Sequence, residues 1–230
     1  MIYRIRQRST LVALALGLAA CGGSSGGAAP SPPPPPPPPP VISTADAFQF
    51  LNQATFGATL EETEDVISLS YAAWIDDQIA QPASLQLPYL RSLPRPQNLA
   101  ELQADRVDIW FRNVVNGEDQ LRQRVAFALS EILVVSQLGA LVNGPYALAD
   151  YYDQLVINAF GNYRDLLEVV TLHPAMGVYL SMLGNEKPDP VRNIRPDENY
   201  ARELMQLFSI GLVELNPDGS VRTDGFGQPL

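Results

Sequence analysis

A chain of 230 residues with 15 Lys+Arg against 25 Asp+Glu has a formal charge of −10, which becomes −13 once Arg4, Arg6 and Arg8 of the first twenty residues are set aside. So acidic a surface, with no Lys/Arg cluster to offset it, repels phosphate backbones and argues against nucleic-acid binding. Hydrophobic residues at 46% exclude a wholly disordered chain; one Cys excludes an internal disulfide, and one His a multi-His metal site.

Residues 1–20 read as a secretory signal: basic Arg4, Arg6 and Arg8, then the apolar run Leu11 to Leu18, then small residues. The apolar run is about half of the ~20 residues a membrane-spanning helix needs, and single residues between the arginines break the twin-Arg export pattern. Leu18-Ala19-Ala20-Cys21 resembles the lipobox of bacterial lipoproteins, in which the Cys is lipidated and becomes the first mature residue. A lone core cysteine is the plainer alternative, but a thiol beside Gly-Gly-Ser-Ser-Gly-Gly has no core to join. Gly rather than Asp at 22 favours the outer membrane in a host that has two. Residues 21–43 then form a Gly/Ser/Pro-rich tether whose nine prolines, Pro32 to Pro40, make a stiff rod of roughly 28 Å at their rise of ~3.1 Å per residue. A ligand for a polyproline-binding domain competes with that spacer reading.

From residue 44 onward a 3.6-residue periodicity punctuated by Pro and Gly predicts a single multi-helix domain, mainly α. Thr44 is placed to cap a first helix running toward Ala54. Thr59 with Glu61 and Glu62 opens a second. A third spans Ser70 to Ala80, with Trp74, Ile75 and Ile79 on one side. Pro82, Pro88, Pro94 and Pro96 make residues 82–96 an extended connection. A long helix follows from Leu99 to Val115, ending at Asn116-Gly117. Asp119 opens the clearest helix, with Leu121, Val125, Ala128, Leu129, Ile132 and Leu133 as one apolar stripe. Phe127, Val134 and Val135 lie off that stripe, so the second half is expected to be buried on most sides. Further helices are expected at Tyr146–Ala159, Tyr163–Leu172, Pro174–Leu183 and Pro196–Ile210, the last stopped by Gly211. The pairs Asp218-Gly219 and Asp224-Gly225 then predict a short hairpin or turn excursion. The chain ends at Gln228-Pro229-Leu230 without a terminating element, the pattern expected of a fragment of a longer domain.

No Gly-x-Ser-x-Gly elbow and no phosphate-cradling Gly-x-x-x-x-Gly-Lys loop occurs in the sequence. With Cys21 committed to lipid, no cysteine nucleophile remains. His173, before a proline that begins a helix, reads as a boundary residue whose ring bonds a nearby carbonyl; a Ser-His-acid triad would need a serine supplied by the fold. The Asp-Gly region lacks EF-hand spacing and its closing Glu, so no metal is assigned there, and no cofactor is implied.

Polar residues concentrate in 192–206. Asn199, Glu203 and Gln206 fall on one helical face, while Glu198 precedes Arg202 by four residues, the favourable order for a surface ion pair. Three readings stay open. The first is an ordinary well-capped helix. The second is a cleft lined by Asn199, Glu203 and Arg195, with Glu203 and Asp197 as acid/base groups. The third is an ionic network joining Arg124 and Glu131 to Arg202 and Glu203 across two helices.

Several runs resemble the bacterial family DUF1800: Phe50-Leu51-Asn52-Gln53-Ala54-Thr55-Phe56-Gly57, the stretch Gln120 to Ser130, Phe160-Gly161-Asn162-Tyr163-Arg164-Asp165-Leu166-Leu167, Leu172 to Leu180, Pro196 to Phe208, and Leu215-Asn216-Pro217-Asp218-Gly219. The resemblance covers roughly residues 46–230. It implies an exported, helical protein longer than this chain, carries no established activity, and points to an exported partner of the DUF1501 family. The expectation is a lipid-anchored envelope protein that binds or assembles something without catalysis. The alternative is a carboxylate-based hydrolase of envelope or external polymers.

Overall fold

A computed structural model describes residues 41–94 and 98–230. The signal, Cys21 and the proline tether lie outside the described residues. The chain is mainly α, and residues Val41–Leu230 pack as one unit.

Helix α1, Thr44–Ala54, starts one residue earlier than the sequence suggests, because the Ser43 hydroxyl accepts the Asp46 N–H. Helix α2, Leu60–Leu69, opens on a full capping box: Thr59 accepts the Glu62 N–H while the Glu62 carboxylate accepts that of Thr59. Ser70, at φ 84°, is the whole joint between α2 and α3, Tyr71–Ala80; its N–H closes α2 on Val66 and its hydroxyl caps α3 at Ala73. Ala47, Leu51, Ala54, Val66 and Trp74 form a small core, with the Phe50 ring 5.2 Å from Trp74, edge to face.

The connection read as extended contains a helix, α4, Leu87–Ser92. Pro88 falls in its first turn, where a missing N–H breaks no helical bond, and Leu87 and Leu90 are buried beside Ala149. The strap before it, residues 83–87, is held by side chains rather than by backbone pairing. Asp119 accepts the Ser84 N–H at 2.9 Å, Asn113 and Gln123 donate to the Ser84 carbonyl, and Asp153 accepts the N–H groups of Gln86 and Leu87, each at 2.8 Å.

Helix α5 spans Leu99–Asn116, and α6, Gln120–Ile132, follows across Gly117. The α6 N–H of Leu121 is satisfied from outside by Gln78. Its expected apolar stripe is only part of what it buries: Leu133, just past its end, is fully buried, and Leu121, Val125 and Leu129 are half-buried. Gln120, Gln123 and Ala126 are the buried residues, while Ala128, Ile132 and Val134 are exposed. The reason is the strap: Gln123 turns inward to bond Ser84 and Asp119, leaving Leu121 on the small core and Leu129 on the large one. The second half of α6 is therefore open on one side.

The large core joins α6 to α7, Pro145–Ile157, α8, Tyr163–Leu172, and α9, Pro174–Tyr179. Leu133, Leu155, Leu166, Val170 and Met176 are among its largest fully buried side chains. The final helix begins at Asn199 rather than Pro196, runs as α10 through Arg202, and continues as a π-helix over Glu203–Ile210 before Gly211 stops it at φ 75°. The Gly211 N–H reaches the Gln206 carbonyl five residues back. The Glu203 N–H still reaches the Asn199 carbonyl, so these two remain one α-turn apart, while Gln206 lies inside the π stretch, where residues three and four apart no longer stack. Beyond it, isolated bridges Leu215–Val221 and Thr223–Pro229 form the turn excursion that the Asp-Gly pairs predict; the bridge Asp189–Ile194 makes a smaller one, which no Asp-Gly pair announces. Among the described residues no helix is long and apolar enough to cross a membrane.

Candidate functional site

Because the chain bends away at Leu133, whose carbonyl is held by the Tyr151 hydroxyl at 2.7 Å, the last turn of α6 faces open space. Three adjoining cavities lie there. The largest, about 580 Å³, is floored by Leu133, Leu148 and Leu155 and walled by Arg106, Ser130, Glu131, Gln137 and Tyr152. A second of about 460 Å³ shares Glu131 and Val134 and adds Tyr179, Leu180, Glu203 and Phe208. A small third, about 190 Å³, shares Arg106, Ser130 and Tyr152 and reaches Trp110 and Phe127.

Arg106, from α5, donates through Nε to Gln103 at 3.0 Å and through a terminal nitrogen to Gln137 at 2.6 Å. Burial lowers its pKa from the usual arginine value, yet among the described residues it has no carboxylate partner. Among the described residues the Tyr152 hydroxyl, which is buried, has no hydrogen-bond partner of normal geometry. Burial pushes its pKa up to about 12, with the Trp110 side chain acting against that shift and Asp153 with it. It therefore stays protonated and able to donate. Ser130 spends its proton on the Phe127 carbonyl at 2.7 Å, so its oxygen is left as an acceptor.

Of the residues singled out from sequence, Glu131 and Glu203 meet on the second cavity. Asp197, Asn199 and Arg195 do not line it. The Asp197 carboxylate accepts the Asn199 N–H at 2.9 Å while its own backbone pairs with the Asn185 amide, and Arg195 is exposed. The four-residue ionic network is not assembled. Arg124 lies over the rings of Phe56 and Phe127 at 5.3 and 5.9 Å, and Arg202 pairs with Glu198 at 2.6 Å on the surface. On the Phe56 ring Arg124 is engaged just past the end of α1.

His173 is the boundary residue expected, but among the described residues its ring bonds no carbonyl. Nδ1 accepts the Ala175 N–H at 3.1 Å and caps α9. The proton must then sit on Nε2, which faces Asp150 at 3.5 Å, too far for a good bond. Burial lowers the His173 pKa against the pull of Asp150. Asp218 and Asp224 spend their carboxylates on the N–H groups of their own turns, and no group of three or more metal-ligating side chains occurs among the described residues.

Sequence reasoning missed Arg106, Tyr152 and Gln137. They come from α5, α7 and the segment after α6, and no local spacing links them. It also missed the buried pair Asp119 and Asp153, whose partners on the strap lie 35 and 67 residues away.

A family model described as a protein of unknown function (DUF1800) matches residues 49–228 and takes in every residue that lines the three cavities. No curated protein and no solved structure matches the chain significantly.

Proposed function

Since this chain belongs to the DUF1800 family, whose description names no activity, we propose a function from the site: a lipid-anchored envelope module that binds a small ligand at the end of α6. The observation that carries the reading is Arg106. A half-buried guanidinium without a carboxylate, in a chain that carries 25 of them, is unfavourable unless something supplies the anion. An apolar floor with a few convergent polar groups is the usual make-up of a small-molecule site. His173, the one imidazole, is committed to capping α9.

The test is thermal unfolding of the membrane-extracted full chain against envelope glycans, metal ions, short peptides and metabolites. At least one compound should raise the midpoint in wild type and fail to do so in Val134→Trp. That substitution fills the shared rim from an exposed position without opening the core. No shift sensitive to Val134→Trp would overturn the reading.

The anchor rests on Leu18-Ala19-Ala20-Cys21. Labelled palmitate should enter the protein in growing cells, and Cys21→Ser should lose both the label and the membrane fraction. With Gly22, the outer membrane is the expected location in a host with two. The partner proposal is an exported protein of the DUF1501 family, tested by crosslinking in intact cells. A second reading, a carboxylate hydrolase, is favoured by one finding: Glu131 and Glu203 line the same cavity, and glycoside hydrolysis uses two carboxyl groups on one site. Turnover of an envelope polymer that Glu203→Gln abolishes with unchanged unfolding would establish it in place of the binding reading.

A further inference from the structure

We propose that the 580 Å³ cavity is a receptor for a compact zwitterion, an amino acid or short peptide, whose carboxylate meets Arg106 and whose ammonium meets Glu131. The inference rests on the binding reading above and names the ligand of that same site.

Among the described residues Arg106 is the one cation lining this cavity and Glu131 the one carboxylate, and neither belongs to an ion pair. The two charges share walls of one space without neutralising each other, so a ligand is matched when it brings both signs. The neutral groups sort the same way. The Tyr152 hydroxyl and the Gln137 amide nitrogen are donors available to a carboxylate, the Gln137 oxygen being already taken by Arg106. Ser130, its proton spent on Phe127, is an acceptor available to an ammonium. Two of the five Arg106 N–H groups are bound by Gln103 and Gln137. These bonds fix the guanidinium plane and leave donors for a carboxylate. Leu133, Leu148 and Leu155 offer a floor for an apolar side chain. A dicarboxylate would be repelled by Glu131 and a plain amine by Arg106, so specificity is built from repulsion as well as attraction. The volume lies within the usual range for small-molecule pockets.

The experiment titrates the membrane-extracted full chain with leucine, leucylleucine, N-acetyl-leucylleucine and leucylleucine amide, following heat of binding and the unfolding midpoint. One free zwitterion is expected to bind at millimolar concentration or below, and leucine against leucylleucine tells which charge separation fits. For the peptide, each blocked derivative, lacking one charge, should bind about tenfold more weakly. Arg106→Gln should erase the preference for the free carboxylate, and Glu131→Gln the preference for the free amine. Arg106→Lys, which keeps the charge, should retain part of the first. Blocked derivatives that bind as well as the free peptide overturn the inference, as does failure of both zwitterions. If they fail while another compound gives a shift that Val134→Trp removes, the binding reading stands alone; if nothing gives one, both fall.

Discussion

Asp153 is buried with both carboxylate oxygens on backbone N–H groups of the strap. Burial raises its pKa to about 6, the two N–H bonds holding it down and Asp150 pushing it further up. The folded protein therefore takes up a proton that the unfolded chain, with an ordinary carboxyl, releases. The contribution of Asp153 to stability should rise as pH falls from 7 through about 6 toward 3.8, the ordinary value of the carboxyl. His173 acts in the opposite sense. Its folded pKa lies below 6.5, so its contribution is present above that value and lost as pH falls through the folded one. Denaturant unfolding at neutral and mildly acid pH separates the two. Asp153→Asn should remove the acid-side gain and cost about 1–3 kcal/mol at neutral pH, because the amide turns an NH₂ toward a strap N–H. His173→Ala should remove the acid-side loss and cost about 1 kcal/mol for the cap. The boundary role of His173 is readable from the proline after it. The bond it makes is not, because Nδ1 is equally able to face a carbonyl or an N–H until the helix sets its angle.

At the scale of the element, local rules held where the partners are local. Helix α8 occupies Tyr163–Leu172 as its periodicity predicts, and the Thr59–Glu62 box opens α2 within four residues of sequence. They failed where a distant segment intervenes. Helix α4 was hidden by reading prolines as breakers when one of them sits in a permitted first turn, and the buried face of α6 is set by a strap about forty residues upstream. Glu131 and Glu203 were legible as candidates because carboxylates are conspicuous in sequence. Arg106 was not, because Asp105 and Asp108 beside it make it look like one more member of a solvated charge pattern. The joint between α5 and α6 gives a sharp test. A Cβ on Gly117 would stand 2.4 Å from the Asn113 carbonyl oxygen, so Gly117→Ala must displace the backbone that closes the end of α5 through the Gly117 N–H to Asn113 bond. A loss of about 1–3 kcal/mol in denaturant unfolding is expected from such overpacking.

At the scale of the whole molecule, α6 stands between two apolar clusters, touching the small one through Leu121 and the large one through Leu129. The small cluster has few buried members, among them Trp74 and Leu51, and should open first. Hydrogen exchange is expected to show faster opening over residues 44–80 than over α7 and α8. Trp74→Ala, at a cost of about 3–5 kcal/mol, should widen that difference while leaving the cavity at the end of α6 able to bind. Loss of binding in that variant would show instead that the two clusters unfold together.

The single-residue joint at Ser70 carries a consequence for how this family can drift in length. With one residue serving as the end of α2 and the start of α3, no slack exists to absorb an insertion. One added residue would swing α3 by about 100° about its axis and take Trp74 off the Phe50 ring. The excursion around Asp189–Ile194 closes on its own hydrogen bonds at the surface. Among homologous chains, gaps should therefore gather in that excursion and be excluded at residue 70, whichever amino acid stands there.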